Sequence, residues 1–126
     1  MDQRREPILN VPAIVVALLL VLGLLHAVRA YVLSDDADNM LVWTLAFVPA
    51  RYDTTVLTAG IYPGGTGAEF WTFVTYALLH ADWTHFGFNA VSLAAFGTPV
   101  ARRFGVVRFL LFFAVTAAAG ALAYLV

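Results

Sequence analysis

The chain has 126 residues, 62% of them hydrophobic and 12% charged, with a formal net charge of -1 and a mean hydropathy of +0.84. Water-soluble domains carry about 25% charged residues, so a bilayer is the natural solvent for this composition, and the balance offers no basic face of the kind nucleic acid selects. Cysteine is absent, which removes disulfides and thiolate metal sites and leaves the redox compartment open.

The first apolar stretch, Pro7 to Val28, runs about 22 residues without a charge, enough to cross a hydrocarbon core roughly 30 Å thick. The predicted span is about 8–30. A secretory signal would have a shorter apolar region ending at a small-residue cleavage site, and "HAVRA" is a poor one, so the segment is expected to stay. The loop that follows, about 34–81, is no ordinary linker. "NMLVWTLAFVPARY", Asn39 to Tyr52, is apolar and aromatic but too short, and broken by Pro49, which suits a membrane interface rather than a crossing. "YPGGTG", Tyr62 to Gly67, predicts a turn-rich hinge, and "EFWTFVTYALLHA", Glu69 to Ala81, an interfacial piece leading into the next helix.

Asp82 has the position of an N-cap, its carboxylate accepting from free amides of the first turn, and a second span is predicted over about 82–101. The third, about 107–126, starts near Arg108 and runs apolar to the last residue. Ala117 and Ala121 beside Gly120 give it the small-residue spacing that lets helix backbones approach closely. Having no cap, basic anchor or polar tail, this span is expected to be cut short rather than finished.

All seven basic residues are arginines, which with the abundant alanine hints at a GC-rich bacterial genome. Arg4 and Arg5 precede the first span, and Arg102, Arg103 and Arg108 lie between the second and third, so both sets are expected in the cytoplasm. The first loop, with Asp35, Asp36, Asp38, Asp53 and Glu69, then lies outside; Arg29 and Arg51 run against the bias.

Within "HADWTHFGFN" the second span carries polar groups. Residues four apart share a helix face, so Asn89 sits one turn below His85 and Ser92 continues the stripe, with His80 just ahead of the span. Such groups in hydrocarbon need hydrogen-bond partners and are a default functional hypothesis. Packing glue between helices, at about 0.6 kcal/mol per bond, explains the spacing equally well. Zinc is disfavoured, because His80 and His85 supply two ligands where at least three are wanted. A proton relay lacks acids in the lower half of the bilayer. A serine–histidine pair fails on distance: Ser92 lies two turns, on the order of 10 Å, from His85, and His26 is level with the wrong end of the second helix.

The stretch "TYALLHADWTHFGFNAVSLAAFGTPVARRFG", Thr75 to Gly105, resembles the second-helix signature of the rhomboid family of intramembrane serine proteases. His80, His85, Asn89, Gly97 and Arg102–Arg103 fit it in order, and the first span with "FVPARY" is similar to alphaproteobacterial members. The resemblance implies an all-α membrane protein with three transmembrane helices, the first half of a six-helix bundle, with a membrane-lying loop between helices 1 and 2. Residues 1–126 would be one partial rhomboid domain.

By the same resemblance His85 and Asn89 are the side-chain donors of an oxyanion hole, and His80 lines their cavity. No cofactor or metal is implied. The implied partners are membrane lipid, a transmembrane protein substrate, and the missing C-terminal helices. The chain departs from the family in having Trp71-Thr72 where Trp-Arg is frequent, and Tyr76 where a further histidine is frequent. The family's Gly-x-Ser-Gly nucleophile, on a fourth span, and histidine base, on a sixth, are not in this chain, which alone is expected to be inactive. Two rivals stay open: a rhomboid-like protein that binds transmembrane clients without cleaving them, and a small three-helix subunit. The location implied is a bacterial inner membrane, crossed several times, with the N-terminus in the cytoplasm.

Overall fold

The computed structural model describes residues 10–126. The arginines at positions 4 and 5, on which part of the orientation argument rests, lie outside the described residues. Helix α1, Ala13–Tyr31, follows Pro12 and carries no charge before Arg29 in its last turn. Helix α2, Asp35–Leu45, starts at Ser34, whose side chain accepts from the amide of Ala37, and three aspartates in its first turn complement the positive end of the helix dipole. A single 3₁₀ turn, Pro49–Tyr52, then leads to α3, Thr54–Ala59, which is capped by Asp53 and closed by left-handed Gly60. The expected break at Pro49 is there.

Helix α4, Gly65–Thr75, begins inside the stretch read as a hinge. Gly64 and Gly65 have φ of 97° and 56°, so only the start of that glycine run is a turn, and Gly67 is already helical. A 3₁₀ turn, Tyr76–Leu78, ends this segment short of any crossing. Asp82 caps α5, Trp83–Ser92, as its place in the sequence predicts. A π-helical turn, Leu93–Gly97, joins α5 to α6, Thr98–Leu125.

Two helical stretches are long and apolar enough to cross a membrane, Ala13–Tyr31 and the continuous run Trp83–Leu125. The second is interrupted at Gly105, whose φ of 78° and ψ of 176° are not helical. Beyond the break the chain turns back on itself. Phe109, 2% exposed, packs with Val15 of α1 and Ala101 from before the break, and its ring lies against Gly97.

Further along, Ala117 and Ala121 are buried, as their small-residue spacing predicts. The Tyr76 hydroxyl donates to the carbonyl of Ala117 at 2.8 Å, pinning the loop to α6. Gly120 is needed for this approach, because a Cβ there would stand 2.9 Å from the Tyr76 hydroxyl oxygen.

The loop is an ordered scaffold held by side chains that reach backbone carbonyls. Arg51, 3% exposed, donates to the carbonyls of Trp43 and Pro63 and lies over the Tyr62 ring. Tyr52 donates to the carbonyl of Glu69, Trp71 to that of Thr44, and Thr75 to that of Leu45. These bonds join α2 to α4 across otherwise irregular chain.

Gly120→Ala is expected to lower the unfolding midpoint in detergent, and to lower it less in a Tyr76→Phe background, with a coupling of about 0.5 kcal/mol or more. Strictly additive losses would show that the hydroxyl and the glycine do not meet.

Candidate functional site

The site is built around the start of α5. Arg29, at the end of α1, donates from Nε and Nη2 to the two carboxylate oxygens of Asp38 at 2.7 and 3.3 Å. Its Nη1 donates to the carbonyl of His80 at 2.8 Å. One planar guanidinium therefore ties α1, α2 and the chain entering α5 together, using the bidentate geometry that lysine lacks. Arg29 and Arg51, the two arginines that ran against the expected charge bias, are both committed to structural hydrogen bonds.

His80 is 4% exposed, and its Nδ1 is buried without a partner. It lines a cavity of about 250 Å³ with Arg29, Val42, Phe47 and Tyr76, whose walls do not include His85 or Asn89. Burial, then the charges of His85 and His26, push the His80 pKa below its ordinary value. Its ring centroid is 6.4 Å from that of His26 and 5.2 Å from that of His85. His26 is 6% exposed, stands edge-on to Trp83 at 4.5 Å and stacks against Phe86. Trp83 in turn donates from its indole to the Tyr31 hydroxyl. Three imidazoles and two aromatic rings thus meet where α1 ends and α5 begins.

His85 and Asn89 lie within regular helix, four residues apart, and both are exposed. The side of α5 that carries Phe86 packs on α1, where the Phe86 ring comes so close to Gly23 that a Cβ there would stand 3.2 Å from it. The polar pair is therefore not consumed by packing among the described residues. Ser92 is exposed two turns further on, and Ser34 is spent as the α2 cap. No serine stands within reach of a histidine at this site. Arg29 and Tyr76, which hold the chain on either side of this site, drew notice in the sequence only as an exception to the charge bias and a departure from the family pattern. The carbonyls they bond are 51 and 41 residues away, and no local pattern marks that task.

The model of the rhomboid domain matches residues 67–126, which contain α5, α6 and all three candidate residues. The "Putative rhomboid protease YdcA" of Bacillus subtilis (strain 168) is 33% identical over 94 residues, 71% of this chain and 45% of the relative. The chain belongs to the rhomboid family. It spans less than half the length of that relative. No solved structure matches. With long apolar helices as well, this rhomboid chain is a membrane protein.

A histidine whose pKa falls on folding binds its proton more readily in the unfolded chain. Its contribution is complete above the unfolded value of 6.5 and declines as the pH falls below it. Unfolding midpoints measured from pH 8 to pH 5 are expected to drop on the acid side, and His80→Gln to flatten that drop. An unchanged slope in the variant would remove His80 as its cause.

Proposed function

We propose that this chain is the N-terminal part of a rhomboid-type intramembrane serine endopeptidase, and that it supplies the oxyanion-stabilising side chains, His85 and Asn89. The nucleophilic serine and histidine base would come from helices outside this chain. The observation that carries the reading is the pair itself: two donors one turn apart on a rigid helix, exposed while the neighbouring Phe86 is used for packing. Membership of the family supports the reaction class.

The transmembrane arrangement follows from lengths. Trp83–Leu125 has 43 residues, and at about 1.5 Å per residue a straight helix would reach roughly 64 Å, twice a bilayer core. The Gly105 break turns it into two passes, and Arg102, Arg103 and Arg108 flank that break. With α1 this gives three passes, with the basic turn in the cytoplasm and the α2–α4 loop at the outer face of a bacterial inner membrane. Trp43, Trp71 and Trp83, all exposed, then lie at interfacial depth.

In the reaction, a serine oxygen attacks the carbonyl carbon of a substrate peptide bond and its proton passes to the base. The carbonyl π electrons move to oxygen. The imidazole N–H of His85 and the carboxamide N–H of Asn89 donate to that oxygen. The intermediate collapses as the C–N bond breaks and the amine takes the proton from the base, and water then hydrolyses the serine ester to a carboxylic acid and free serine. Fixed donors in a site of low dielectric contribute far more than in water, on the order of 3–4 kcal/mol each. His80 supports the site from the side: its carbonyl is held by Arg29 and its ring stands beside that of His85. The substrate is a transmembrane protein.

In the complete protein reconstituted in lipid, Asn89→Ala or His85→Ala is expected to lower kcat on a model transmembrane substrate by about 10²-fold, with folding retained. Wild-type turnover in both variants would exclude the oxyanion role. No turnover by the wild-type protein, together with retained client binding, would favour a binding protein without protease activity.

A further inference from the structure

Helix α5 opens with a reciprocal pair of bonds centred on His85. Asp82, the N-cap, has extended backbone with φ of -153° and ψ of 175°. Its Oδ1 accepts from the backbone N–H of His85 at 2.7 Å. In the other direction the backbone N–H of Ala81 points at Nδ1 of the His85 ring, 3.5 Å away. This is the logic of a capping box, in which the N-cap side chain bonds the amide three residues on and that residue's side chain reaches back to a free amide. Here the returning group is an imidazole in place of the usual carboxylate or carboxamide, and it reaches the residue just before the cap.

A neutral imidazole carries one proton on its two nitrogens, and a nitrogen that accepts from an amide is the one without it. With Nδ1 facing the Ala81 amide, the proton sits on Nε2, the nitrogen on the far side of the ring from that bond. We propose that Asp82 is a positioning residue: by capping α5 it holds the Ala81 amide against Nδ1 and so keeps His85 in the Nε2-protonated tautomer, with that N–H directed outward as a donor. This rests on the reading of His85 as an oxyanion donor and adds to it the choice of nitrogen and the group that enforces the choice.

The surroundings suit the arrangement. The His80 ring stands 5.2 Å from that of His85 at 69° and limits rotation of the ring on that side. The carbonyl of His80 is clamped by Arg29, so the backbone leading to Ala81 has a fixed origin. His80, whose pKa is lowered chiefly by burial, stays uncharged at neutral pH and places no cation beside a ring that must itself donate. Apart from the amide of Ala81, no side chain among the described residues bonds to the His85 ring.

The test uses the complete protein with histidine labelled by ¹⁵N, the His85 resonances assigned by comparison with His85→Gln. Nitrogen shifts at pH 8 are expected to show protonated Nε2 and bare Nδ1 for His85. Asp82→Ala should mix the two tautomers and lower kcat by about tenfold with little change in KM, since misplacing a catalytic group by an ångström costs up to about 10²-fold. Asp82→Ser, which can still cap, should restore both the shifts and most of the turnover. A wild-type His85 protonated on Nδ1 would overturn the proposal. So would an Asp82→Ala protein that loses turnover through KM or unfolding while its tautomer is unchanged, or one that keeps wild-type kcat. The nitrogen shifts are read without catalysis, so an active His85→Gln protein would sink the oxyanion reading while leaving the tautomer result to be judged separately.

Discussion

An imidazole and a carboxamide one turn apart on an apolar helix have to be given water or hydrogen-bond partners, because an unpaired amide or hydroxyl in hydrocarbon costs several kcal/mol. That requirement organises the rest of the molecule. α5 could hide His85 and Asn89 against α1, but α1 receives Phe86 instead, on Gly23 and His26. The polar pair is left exposed. Apolar residues of α5 are exposed beside it, Phe88 at 73% and Val91 at 70%, so the helix keeps further faces that nothing among the described residues covers.

The loop before α5 is the second part of that arrangement. Irregular backbone at membrane depth is tolerated only where its polar groups are met. Here the donors are Arg51, Trp71, Thr75 and Tyr76, each spent on a carbonyl. Arg29 adds the bond that matters most to the site, since it fixes the carbonyl of His80 and with it the chain that turns at Asp82. Rigidity is therefore passed from α1 and α2 to His85 through two short steps, a guanidinium and a cap. A side chain on a helix supported in this way is placed more accurately than one on a free loop.

What could be read from the sequence was what is local. The Asp82 cap, the shared face of His85 and Asn89, the close-packing role of Ala117 and Ala121 and the break at Pro49 all depend on residues within a turn or two. Membership of the family was legible for the same reason, in the order of residues from His80 to Arg103. The start of α4 inside the glycine run was misread, because Gly64 and Gly65 take the positive φ of a turn while Gly67 does not. The tasks of Arg29, Arg51 and Tyr76 were invisible. Apart from the Asp38 carboxylate that Arg29 also meets, their acceptors are backbone carbonyls 8 to 51 residues away, which carry no mark in a sequence.

Cysteine is absent from this chain, so with any cysteine of the remaining helices replaced, one introduced thiol is the only thiol present. In the complete protein in sealed membranes, Asn89→Cys is expected to react with a water-soluble, membrane-impermeant thiol reagent added from the outer side. Val91→Cys, on the same helix and 70% exposed here, is expected to stay unmodified in lipid. An Asn89→Cys thiol as inert as that at position 91 would mean that the pair faces lipid or dry protein, and the account of α5 as the wall of a wet catalytic cavity would be wrong.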